Sequence, residues 1–124
     1  MTVYVTQQPM PNKLNWVPDL SPAAPYGKLV FVFAGDEAPF TAPNKSMTKA
    51  QDVLAHFNSK EDYLLWPNTG DPAAQWICIM ALASMGVEEI TFLYWSRVRH
   101  DDGTRSRSKG NYVPVTIAAR STSK

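Results

Sequence analysis

The sequence has one cysteine, almost no net charge and no long apolar run, and each absence narrows the functional class. A single thiol, Cys78, cannot form an internal disulfide, so the chain suits a reducing compartment. A formal net charge of +1 provides no bulk field to attract nucleic acid or a membrane. No apolar stretch reaches the roughly 18 residues of a membrane span, and the N-terminus lacks the basic and apolar regions of a signal peptide. We therefore expect a soluble intracellular protein without membrane contact.

Several catalytic signatures are also missing. The loop around Gly70 matches neither the Walker A pattern nor the Gly-x-Gly-x-x-Gly fingerprint of dinucleotide-binding proteins. The chain has no Gly-x-Ser-x-Gly elbow and no His/Cys cluster with zinc spacing. These absences argue against the common nucleotide-binding motifs, serine hydrolases and zinc sites. We expect no cofactor, apart from magnesium under one interpretation given below.

Apolar patterns along the chain alternate between strand and helix. The run Leu29–Phe33 is too short for a helix and apolar on both faces, which is typical of a central parallel strand. Pro114 cannot donate to a ladder, so the last strand belongs at a sheet edge. The remaining predicted elements are a helix capped by Ser46, a strand at 62–66, a helix from Asp71 to about Gly86, and strands at 89–98 and 111–118.

These elements predict an α/β fold, a three-layer small Rossmann-like domain in β-α-β-α-β-β order. Three strands would be parallel, and an antiparallel edge strand would follow them. The alternation of polar and apolar residues within Thr2–Thr6 is also compatible with a further short strand. We expect residues 1–124 to form a single domain, with 121–124 as a polar tail. Residues 7–28 contain five prolines but also large apolar groups, including Trp16, so we predict an ordered proline-rich arm.

In an open parallel sheet, ligands bind beyond the carboxyl ends of the strands. The second predicted strand is followed there by Thr69, Gly70 and Asp71, at the start of a helix whose N–H groups favour phosphate. Asp36 and Glu37 follow the first strand, and with Asp71 they form a candidate Mg²⁺ site, because hard cations prefer carboxylates. The alternatives are an ordinary helix cap at Asp71 and a solvated turn at Asp36 and Glu37.

A basic hairpin is the other candidate site. Five of the twelve Lys and Arg residues fall between positions 97 and 109, and they are Arg97, Arg99, Arg105, Arg107 and Lys109. Guanidinium groups on two joined strands suit paired hydrogen bonds to phosphate. The nearby aromatic residues Tyr94, Trp95 and Tyr112 suit stacking on bases. The alternative is a solvated tip whose charge protects an edge strand from aggregation.

Three stretches resemble small proteins of tailed bacteriophages. They are Asn15–Phe31, Asp62–Trp66 with the following Gly70-Asp71-Pro72, and Gly110–Val115. The resemblance implies a protein that acts in the cytoplasm of an infected bacterial cell. It implies no activity, no cofactor and no catalytic residue.

The leading interpretation is a small non-catalytic binding protein of viral origin. Its partner would carry phosphate, as nucleic acid or a nucleotide, and would contact the basic hairpin and the helix that begins at Asp71. One alternative is a Mg²⁺-dependent phosphoester hydrolase or nuclease that uses Asp36, Glu37 and Asp71. Another is a protein–protein module that inhibits a host factor through the proline-rich arm or the hairpin.

Overall fold

The computed structural model describes residues 1–11, 13–99, 103 and 105–118; for residues 98, 99 and 105–109 it describes the backbone only. In these parts of the chain one sheet contains β1 (Thr2–Gln7), β2 (Lys28–Phe33), β3 (Tyr63–Leu65), β4 (Glu89–Arg99) and β5 (Arg105–Ala118). The helices are α1 (Pro43–Val53), α2 (Pro72–Ser84) and two 3₁₀ helices, Ser21–Tyr26 and Pro39–Thr41. The predicted α/β class is confirmed. The predicted tail at 121–124 lies outside the described residues.

The strand order is β2-β1-β3-β4-β5, and the predicted β-α-β-α-β-β order is wrong because it lacks the interior strand β1. β1 pairs in parallel with both β2 and β3, and β3 pairs in parallel with β4, so four strands rather than three are parallel. The alternation of polar and apolar residues in Thr2–Gln7 is typical of a strand with one solvent-exposed face. Its polar members Thr6 and Gln7 are nevertheless buried, which the alternation does not reveal.

β2 lies at an edge of the sheet, so the prediction that Leu29–Phe33 is a central strand is wrong. Phe31 remains 38% exposed there. The antiparallel strand β5 forms the opposite edge, as Pro114 predicted, and Pro114 lies opposite Leu93 of β4. Because an apolar run reports burial but not neighbours, it cannot separate an edge strand from a central one.

The two faces of the sheet are covered differently. α1 and α2 pack against Tyr4, Val32 and Leu64 on one face. On the other face, among the described residues, the segment between β1 and β2 packs against the sheet through Leu20 and Ala23. The predicted three-layer Rossmann-like arrangement is therefore corrected, because this second layer is a 3₁₀ helix and irregular chain.

The proline-rich arm packs over only part of its length. Leu20 is 8% exposed, and the Tyr26 hydroxyl donates to the carbonyl of Tyr112 at 2.9 Å. Trp16, which we expected to be buried, is 57% exposed. The arm therefore covers the second face of the sheet from about Leu20 onwards.

The two α-helices in the described part of the chain begin differently, α2 with a side-chain cap and α1 without one. Asp71 caps α2 as predicted, since its carboxylate accepts from the N–H of Ala73 at 2.9 Å. Ser46 is not the cap of α1, which begins three residues earlier with Pro43 in the first turn. The Ser46 hydroxyl instead donates to the carbonyl of Pro39. Neither α-helix in the described part of the chain has the length and apolar character needed to cross a bilayer.

The core position of Cys78 yields a direct test. Burial raises the pKa of this thiol to about 12, so almost no thiolate exists at neutral pH. We expect a thiol reagent to label native protein far more slowly than protein unfolded in urea. Labelling of the native protein at the rate of the unfolded chain would contradict the described packing of α2 on the sheet.

Candidate functional site

The carboxyl ends of β1 and β3 define the point where the chain connections diverge. The connection after β1 leads to β2 at one side, and the connection after β3 leads through α2 to β4 at the other side. In sheets of this kind the crevice between two such strands is the usual ligand site. Here Gln7 ends β1, and the loop of residues 66–71 follows β3.

The side chain of Gln7 fills this crevice. It is 2% exposed, and its Nε2 donates to the carbonyls of Ala34 at 3.0 Å and Glu37 at 2.6 Å. Its Oε1 accepts from the N–H of Asp71 at 2.8 Å. One amide therefore joins the end of β1 to the loop after β2 and to the start of α2. We call this set of three hydrogen bonds the Gln7 clamp.

Gly70 shows how closely the clamp is packed. The residue has φ of +84°, and a Cβ placed on it would lie 2.5 Å from Gln7 Oε1. Any side chain at this position would be strained by the backbone angle and would also collide with the clamp. The glycine permits this close approach, and the backbone N–H of the next residue, Asp71, is bonded to Gln7 Oε1.

Asp71 uses both carboxylate oxygens within the fold. Oδ1 accepts from Ala73 N–H, and Oδ2 accepts from the N–H of Phe40 at 2.9 Å. Ala74 N–H donates to the carbonyl of Asp71, and Pro72 has no N–H to offer. The start of α2 is thus occupied by its own cap. Thr69 Oγ1 is buried, and no partner for it lies among the described residues.

The three carboxylates considered for magnesium do not assemble. Among the described residues no group of three or more His, Cys, Asp or Glu side chains could hold a metal ion. Glu37 is paired with Lys49 and also accepts from the N–H of Ala34. The Lys49 ammonium, and after it that N–H, hold the pKa of Glu37 below its usual value. Asp36 is exposed.

The basic segment is a two-stranded extension of the sheet. Beyond the pair Trp95–Tyr112, β4 and β5 continue to pair with each other through Ser96–Asn111, Arg97–Gly110 and Arg99–Arg105. We call residues 96–99 and 105–111 the basic ribbon; it holds all five basic residues singled out above. Arg97 is exposed, and the ladder shifts register between Arg97 and Arg99. Arg105, Arg107 and Lys109 lie on β5 within this ribbon.

The aromatic residues near the ribbon divide into two groups. Tyr112 is 7% exposed and packs edge-on against Trp95, with ring centroids 4.9 Å apart. Gly110 makes room for that ring, because a Cβ there would lie 2.9 Å from Trp95 Cε2. Tyr94, on the opposite face of β4, is 57% exposed. Only Tyr94 of the three is open enough for stacking on a base.

An apolar surface beside α2 was not predicted. A groove of about 300 Å³ runs between α2 and the sheet face of β4 and β5. Its lining includes Trp66, Gln75, Phe92, Tyr94, Val115 and Ile117. The sequence signal that could have indicated this surface is the composition of α2. Its thirteen residues carry no charge, although a surface helix normally has a charged face.

The chain belongs to the family described as Phage Pam3 gp32-like protein, which matches residues 1–118. This confirms the resemblance to small phage proteins and identifies the chain as a phage protein. No curated protein and no solved structure matches it significantly.

The Gln7 clamp predicts a large stability loss on substitution. Gln7→Met keeps the length of the side chain but removes the partner of the Glu37 carbonyl and of the Asp71 N–H, while the Ala34 carbonyl still accepts from the N–H of Glu37. We expect the free energy of unfolding to fall by about 2–3 kcal/mol, measured by urea denaturation. Gln8→Met is the matched control, because the neighbouring Gln8 is exposed and its loss should cost less than about 0.5 kcal/mol. Equal midpoints for the two variants would contradict the clamp.

Proposed function

We propose that this phage protein binds nucleic acid through the basic ribbon and has no catalytic role. The main observation in support is that β4 and β5 remain paired beyond the Trp95–Tyr112 contact. Five of the chain's twelve Lys and Arg residues lie in this extension. A net charge of +1 therefore conceals a strong local concentration of positive charge.

The dimensions of the ribbon suit a duplex. Residues 96–99 extend about 13 Å past Trp95, and two paired strands lie about 4.8 Å apart. The major groove of B-DNA is about 12 Å wide and admits a two-stranded ribbon. The register shift between Arg97 and Arg99 gives β5 more residues than β4 in this part of the ribbon.

A polymer fits the protein better than a free nucleotide does. The crevice between β1 and β3 is filled by Gln7, and the start of α2 is capped by Asp71. These contacts leave the loop of Thr69, Gly70 and Asp71 with little capacity for phosphate. Stacking on single strands is also limited, since Trp95 and Tyr112 pack on each other and leave Tyr94 as the open ring. Arg97 of the ribbon, by contrast, is exposed.

Magnesium-dependent hydrolysis receives no comparable support. Glu37 is engaged by Lys49, and both oxygens of Asp71 accept backbone N–H groups. A metal would have to displace these contacts before Asp36 could join the other two carboxylates. We therefore do not propose an enzymatic activity.

The ribbon proposal predicts a salt-dependent affinity that two arginines control. The binding constant for duplex DNA should fall with salt at a logarithmic slope of about −0.9 per phosphate contact. Arg105→Ala combined with Arg107→Ala should flatten that slope by about 1.8, because two contacts are lost. Titrations by fluorescence anisotropy at several salt concentrations measure both slopes.

The control variant carries Lys28→Ala and Lys60→Ala, which removes the same charge from two exposed positions outside the ribbon. Its slope should equal that of the wild type. Three results would contradict the proposal: no binding of duplex, single strand or mononucleotide at low salt; equal slopes for both double variants; or nucleotide binding that the ribbon variant leaves unchanged.

A further inference from the structure

The outer side of α2 has the composition of a buried helix. None of its thirteen residues is charged, yet Trp76 is 66% exposed and Met80, one turn later, is 62% exposed. A helix that is apolar on all sides is normally covered on all sides. In the isolated chain, α1 and the sheet cover only the inner side, where Ala74, Cys78 and Ala81 are fully buried.

The neighbouring face of β4 and β5 continues this apolar surface. Tyr94 lies opposite Val113, Phe92 opposite Val115, and Ile90 opposite Ile117, so the members of each pair share one face. Exposure rises towards the sheet edge, from 8% at Ile90 to 58% at Ile117. The side chains facing α2 on this part of the sheet are therefore apolar and only partly covered.

A projecting ring and a groove occur together on this surface. The groove of about 300 Å³ is lined by Gln75 on its α2 side and by Phe92 and Val115 along the sheet. Trp76 directly follows Gln75 and extends from the outer side of α2. A two-fold interface needs this combination, because one surface must supply both the inserted group and the site that receives it.

The exposed area approaches what a stable dimer needs. Trp66, Trp76 and Tyr94 together expose on the order of 300 Å², at about 150–250 Å² per fully exposed aromatic side chain. The aliphatic residues Met80, Val113, Val115 and Ile117 bring the total to roughly 500–600 Å², the upper limit of the largest apolar patch on a typical monomer. A standard interface buries about 800 Å² per partner, so a modest polar rim would complete it.

We propose that this surface, formed by the outer side of α2 and the adjoining face of β4 and β5, binds a second copy of the chain in a two-fold dimer. Trp76 of each copy enters the groove of the other. The residues that form the surface carry no charge, so they offer little electrostatic complementarity for selecting a different partner. Homodimer interfaces are also the more apolar class. The dimer is independent of the nucleic-acid proposal, which concerns the ribbon.

The test is the mass of the full chain in solution after nuclease treatment, measured by light scattering on a sizing column. We expect twice the 13.8 kDa chain mass for the wild type, and the mass of one chain for Trp76→Glu. Val115→Glu, a second variant in the floor of the groove, should give the same monomer. Far-UV circular dichroism should show unchanged secondary structure in both variants, because both side chains are partly exposed.

Trp16→Glu is the matched control, since Trp16 is a similarly exposed tryptophan outside this surface and its replacement should preserve the dimer. A wild type that stays at 13.8 kDa up to about 100 µM would overturn the proposal. A dimer that survives both glutamate variants would overturn it as well. So would a monomeric wild type that gains mass only with another protein, because the surface would then belong to that partner.

Discussion

The buried amide of Gln7 is the constraint on which the working end of the sheet depends. Parallel strands end in loops whose backbone groups need partners, and here one side chain supplies partners to two of those loops. Asp62 has a matching role at the other end of β1, where its carboxylate accepts from the N–H of Thr2. The interior strand β1 is therefore tied to neighbouring segments at both ends by buried polar side chains, which an apolar core alone would not achieve.

This constraint has a functional consequence. A crevice that would hold a ligand in many α/β proteins is here occupied by the Gln7 side chain, so we place the proposed partner surfaces elsewhere. The two surfaces that we propose both involve the antiparallel pair β4 and β5, and the second of them also includes the outer side of α2. The far end of the strand pair carries concentrated positive charge, and its near end presents apolar side chains beside α2. We therefore propose that the far end of this pair contacts phosphate and that its near end, together with α2, contacts protein.

The sequence predicted the features that rest on local chemistry. The Asp71 cap and the edge position of Pro114 both follow from what one residue can donate or accept. Features that depend on contacts between residues far apart in the sequence could not be predicted. Gln7 was assigned to the predicted arm because nothing local shows that Ala34 and Asp71 lie beside it. Leu29–Phe33 was predicted to be central because the sequence does not show which strands are its neighbours. The exposure of Trp76 was hidden for the same reason, since an apolar helical position indicates burial whether the cover is the same chain or another.

The most direct test of the central claim is hydrogen exchange of the Asp71 backbone amide and the Gln7 side-chain amide, followed by NMR. If the Gln7 clamp joins the strand ends as described, both should exchange slowly, at rates close to those of the β1 backbone. Exchange of the Asp71 amide at the rate of an open loop, while β1 stays protected, would contradict the account. It would show an unfilled crevice between β1 and β3 and return that site to the candidates for ligand binding.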